Sequence, residues 1–135
     1  MKISLDLGEA GANVIRSYGP GRVVINEDVH KCSVIVTPGR VTKWLPRALV
    51  DLECGHFEEI VALEPEVVIL GTGARLQFPD PATTRPLVDA QVGFEVMGTG
   101  AACRTYNILM SEGRRVVAAL LMIPLPDPPP QGGRE

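Results

Sequence analysis

Apolar positions along this chain fall into short runs whose character changes midway. In the first half the runs are brief, rich in β-branched residues and bounded by turn residues, which predicts strands. Ile3–Leu7 and Asn13–Tyr18 are short candidate strands, and Gly19-Pro20-Gly21 separates the second from Arg22–Asn26. Asn26-Glu27-Asp28 reads as a turn, Cys32–Val36 as a strand closed by Thr37-Pro38-Gly39, and Val41–Trp44 as a shorter strand. Leu45-Pro46-Arg47 breaks the pattern. Phe57, Ile60 and Val61 then recur at helical spacing, predicting a helix over Cys54–Leu63 that Pro65 ends.

The second half alternates strand and helix. Val67-Val68-Ile69-Leu70 is a continuous apolar run, the pattern of a strand covered on both faces, and Gly71-Thr72-Gly73 follows it. A weak helix near Ala82–Ala90 leads to a strand over Val92–Met97, which runs into Gly98-Thr99-Gly100. Ala101–Glu112 is the strongest helical segment, with Ala102, Cys103, Tyr106, Leu109 and Met110 on one stripe and Gly113 as its stop. Val116–Ile123 is the final strand. Strand-helix-strand-helix-strand with short links predicts parallel neighbours, so the chain reads as α/β, with antiparallel or mixed strands added by the first half. The domain is expected over residues 1–123, followed by a proline-rich, extended tail over 124–135 whose Pro126 and Pro129 form a lone PxxP spacing.

Length and charge narrow the classes. With 135 residues, 45% of them hydrophobic, there is enough chain for one compact core and too little for two ordinary domains. A net charge of −3, without a basic stripe, speaks against nucleic-acid binding and against a polybasic membrane segment. The longest apolar run, Val116–Ile123, is far short of the roughly 20 residues of a bilayer-spanning helix. The first residues carry neither the apolar run of a signal peptide nor the arginine-rich character of a transit peptide. Three scattered cysteines without a CxxC argue for a reducing compartment. Together these predict a cytoplasmic, bacterial protein.

Chemistry is sparse. The two histidines, His30 and His56, lie at no metal-ligand spacing, so no metal site is expected. No GxSxG occurs, and Glu58 and Glu59 point about 100° apart on a helix, so they do not converge as an acid/base couple. Trp44 is expected in the core. The two glycine turns are the most informative feature. If their strands are parallel, both turns meet at one sheet edge, where open α/β folds bind ligands. Gly71, Thr72, Gly73, Thr99 and Gly100 would line that crevice. Thr99 would cap the following helix, and Arg75 and Arg104 would favour an anion. Steric turns without a ligand are the plain alternative. Cys103 near a helix start would be either an activated thiolate or a buried apolar thiol. Arg104, Asn107, Ser111 and Arg114 share the other face, either as a solvated surface or as a recognition strip.

Val67–Gly73, and Glu95-Val96-Met97-Gly98-Thr99-Gly100-Ala101-Ala102-Cys103-Arg104-Thr105-Tyr106-Asn107-Ile108-Leu109, resemble a small-domain family of bacteria and archaea of unknown biochemical function. Its eukaryotic member is mitochondrial respiratory complex I assembly factor three. Tyr18-Gly19 and Trp44 also match, so the likeness spans about residues 1–123. The resemblance implies a three-layer α/β domain with a mixed, partly parallel central sheet and an additional N-terminal β region. It implies no known enzyme activity and no cofactor, and it suggests protein–protein binding. The family usually carries Asp where this chain has Gly98, so a role for that carboxylate does not transfer.

Three functional readings follow. The first is a non-enzymatic binding or assembly module, related to respiratory complexes by the resemblance, with Arg104 and Asn107 at the contact. The second is a small-anion binder or enzyme using the crevice between the glycine turns. The third is a structural homo-oligomer.

Overall fold

The computed structural model describes residues 11–122. The expected first strand, Ile3–Leu7, and the proline-rich tail lie outside the described residues.

Among the described residues, eight strands and three α-helices form two sheets and their cover. β1 (Ile15–Gly19), β2 (Arg22–Ile25) and β3 (Asp28–His30) make a three-stranded antiparallel sheet of their own. β4 (Val34–Thr37) and β5 (Arg40–Lys43) form a hairpin at one side of a second, five-stranded sheet. After α1 (Cys54–Val61), β6 (Val67–Gly71), α2 (Arg85–Asp89), β7 (Gly93–Met97), α3 (Thr99–Ser111) and β8 (Val116–Leu120) alternate. The large sheet has the order β5-β4-β8-β6-β7; β6 runs parallel to both β7 and β8, and β4 runs antiparallel to β5 and β8. The parallel second half and the antiparallel strands added by the first half both match the expectation. So does the pairing on which the site depends, because Leu70 lies opposite Val96 and Gly71 opposite Met97.

The period of two along a strand sorts the core into two halves. Val34, Val36, Ile69, Val116, Ala118 and Leu120 face one way, against α3 and the small sheet through Ala102, Cys103, Tyr106, Ile15, Val23 and Ile25. Ile35, Val68, Leu70, Val117 and Ala119 face the other way, against Phe57 and Ile60 of α1, Leu87 of α2, and Trp44. Both faces of the sheet are therefore covered, which is why β6 and β8 are apolar without alternation. The result is three layers: small sheet with α3, large sheet, then α1 with α2.

Several boundaries shift. Asp28 belongs to β3, so the turn after Asn26 is tighter than expected; Asn26 supports it with a positive φ of 57°. β8 ends at Leu120, and α3 begins at Thr99 instead of Ala101. Trp44 is in the core at 3% exposure, as expected, and stacks edge-on against Phe57 with ring centroids 6.1 Å apart.

Candidate functional site

The C-terminal ends of β6, β7 and β8 share one rim of the large sheet. A crevice of about 800 Å³ opens there. One wall is the loop after β6, with Thr72, Gly73, Ala74, Arg75 and Gln77. A second is the start of α3, with Gly98, Thr99, Gly100, Ala101 and Arg104. A third is the tip of the β1–β2 hairpin, with Tyr18, Gly19, Pro20 and Gly21, and Leu121 and Met122 complete the lining.

The glycine turns are stitched to each other. The Thr99 N–H donates to the Gly73 carbonyl at 2.8 Å, and the Gly73 N–H donates to Thr99 Oγ1 at 2.9 Å. The Thr72 N–H donates to the Met97 carbonyl at 2.9 Å, extending the β6–β7 ladder by one step. Thr72 Oγ1 donates to the Arg75 carbonyl at 2.7 Å and accepts from the Gln77 N–H at 3.2 Å, which folds the loop back on itself. Thr99 is thus the first residue of α3 and a pin between the two turns. It does not cap its own helix; Gly98 holds the N-cap position without a side-chain cap. This corrects the expected capping role: the close approach of Gly73 gives Thr99 Oγ1 a donor across the gap.

Gly100 admits the hairpin. A Cβ built there would stand 2.8 Å from Tyr18 Cε1, so the bare backbone lets the Tyr18 ring lie against the first turn of α3. The Arg104 guanidinium donates to the Tyr18 hydroxyl and sits 6.0 Å from the centre of its ring.

Two expected residues stand elsewhere. Gly71 lies beneath α3, where a Cβ would meet Leu120 Cδ2 at 2.9 Å and Ala102 Cβ at 3.2 Å. Asn107 is outside the crevice lining and brackets β1: Oδ1 accepts from the Ile15 N–H at 3.0 Å and Nδ2 donates to the Ile15 carbonyl at 2.8 Å. The expected strip along α3 is therefore interrupted at Asn107, because the small sheet packs over that face. Thr72, Gly73, Arg75, Thr99, Gly100 and Arg104 are brought together. Tyr18, Pro20, Gln77, Leu121 and Met122 were not foreseen as lining. The turn signal of Gly19-Pro20-Gly21 marks a hairpin tip, but nothing local says where that tip docks.

Cys103 is 1% exposed, and burial pushes its thiol up to about 12, with Arg104 opposing only in part. The stripe of α3 faces the core, so Cys103 is the buried apolar thiol of the two alternatives.

Fold and topology together define a small three-layer α/β domain with a crevice at one rim of its large sheet. Residues 15–121 match the family model described as protein of unknown function (DUF498/DUF598), and the chain belongs to that family. It is 34% identical over 135 residues to NADH dehydrogenase [ubiquinone] 1 alpha subcomplex assembly factor 3 of Danio rerio, covering 98% of this chain and 74% of that protein. A crystal structure from Bordetella parapertussis superposes with a TM-score of 0.79 at 39% identity, over 84% of this chain and 98% of that one. An NMR structure from Xanthomonas campestris gives 0.80 at 32% identity, over 96% and 98%. These relatives bear out the expected family and its fold. Among the described residues, no helix is long and apolar enough to cross a membrane.

Proposed function

We propose that this chain is a non-enzymatic binding protein that docks a protein partner at the rim crevice, as an assembly-type module. The observation that carries the reading is the stitching of the two glycine turns. Gly73 and Thr99 spend their amide donors on each other. The crevice is left with arginine and apolar side chains gathered from three separate segments, a surface suited to docking more than to holding a reacting oxyanion. The Danio rerio relative, named as an assembly factor, supports the same direction. A cytoplasmic, bacterial setting belongs to this proposal and is supported by three free thiols, which suit a reducing compartment. A small anionic ligand is the second reading. It is favoured by Arg75 and Arg104 beside the first turn of α3, where a helix leaves orphan amides.

Affinity capture from bacterial extract under native conditions tests the first reading. The wild-type chain should retain a specific partner, and Arg104→Glu should lose it. Capture of nothing specific, or equal capture by both chains, overturns the proposal.

A further inference from the structure

We infer that the rim crevice takes an extended acidic segment of its partner, a carboxylate flanked by apolar side chains. The inference rests on the binding-module reading and specifies its partner. The charge balance is its first support. The protein carries 16 acidic against 13 basic residues, yet the described residues lining the crevice include Arg75 and Arg104 and no acid. Arg75 is exposed, and among the described residues its side chain makes no hydrogen bond or ion pair. Arg104 commits one donor to Tyr18 out of the five a guanidinium holds. Both are therefore free to pair with carboxylates, for which the guanidinium fork is well matched.

The second support is the apolar lining. The exposed Pro20 and the Tyr18 ring share the crevice with the arginines, above a floor formed by the nearly buried Leu121 and Met122. A lone inorganic anion would leave this surface unused, whereas a peptide with apolar neighbours beside its carboxylate covers it. The volume, about 800 Å³, is in the upper part of the range for ligand clefts, enough for several side chains. The third support is a contrast within the same molecule. The groove at the opposite end of the sheet, about 450 Å³, also carries arginines. There Arg114 is paired with Glu66 at 3.1 Å, so one of its three charges already has a carboxylate partner, whereas among the described residues neither crevice arginine has one.

The test pans a display library of random peptides, about a dozen residues long, on the full chain. Enriched peptides should place Asp or Glu beside apolar residues. One such peptide, synthesised and titrated, should shift the Gly100 and Ala101 amide resonances. It should bind at least about tenfold more weakly to the Arg75→Glu/Arg104→Glu chain, and equally well to Arg40→Glu in the other groove. Arg75→Gln alone should weaken binding several-fold, and this exposed position keeps the test valid if losing the Tyr18 contact disturbs the fold. Enrichment of acid-free peptides at the crevice overturns the acidic inference and leaves the binding-module reading standing. Inorganic phosphate shifting the same amides, with no enriched peptide competing, overturns the segment in favour of a small anion. No enrichment at all overturns the inference, while partner capture judges the broader reading separately.

Discussion

Gly71 shows how one position sets the distance between two layers. Its missing Cβ lets the first turns of α3 settle onto β6, with Thr99 Cα 3.4 Å from where that atom would be. Gly71→Ala places a methyl 2.9 Å from Leu120 Cδ2 in a fully buried region, and overpacking of this kind costs about 1–3 kcal/mol. Urea unfolding of the variant should show a lowered midpoint with an unchanged slope. An unchanged midpoint would mean that the layers separate without strain. From sequence alone Gly71 and Gly100 look alike as turn glycines. The structure gives them different tasks, one beneath the helix and one against Tyr18, because each meets a segment distant in the chain.

At the scale of elements, the small sheet is joined to the rest through α3. Asn107 mimics a strand partner: it accepts from the Ile15 N–H and donates to the Ile15 carbonyl, while the Tyr106 hydroxyl donates to the Asn13 carbonyl at 2.8 Å. Asn107→Ala leaves two half-buried backbone groups of β1 without their partner, at a cost of about 1–3 kcal/mol. Hydrogen exchange at the Ile15 amide should accelerate more than at β6 amides; equal change in both would show that the bracket does not hold β1 locally. The helical stripe of α3 was legible because burial demands its spacing. The role of Asn107 was not, since a polar residue on the outer face reads as solvated or as a partner contact until a second sheet is known to cover it.

For the molecule as a whole, the sealed thiol predicts its chemistry and its alkaline limit. In the native state Cys54, which is exposed, should react with a thiol reagent while Cys103 stays protected until unfolding. Burial raises the Cys103 pKa from 9.0 to about 12, so the folded state holds a proton that the unfolded state loses first. Stability from this group is intact below about pH 9 and falls as pH rises toward about 12. Tyr106, raised for the same reason, adds to the decline. Unfolding free energies at about pH 8 and about pH 10 should differ more for wild type than for Cys103→Ala, by an amount on the order of 1 kcal/mol. Identical slopes would mean that the thiol titrates normally in the fold.

What the order of residues determined by itself was local and periodic. Val67–Leu70 announced a strand covered on both faces, Val116–Ile123 a last strand whose end the structure moves to Leu120, the stripe from Ala102 to Met110 a buried helix face, and the alternation of these elements made β6 and β7 parallel neighbours. Those conclusions follow from the rise and twist of a backbone and from the need to bury apolar surface. The arrival of the Tyr18 hairpin at Gly100, the use of Thr99 as a pin, and the enlistment of Asn107 by β1 were decided only by tertiary structure. Each depends on packing between segments separated by up to 92 residues, and no local period encodes such a meeting.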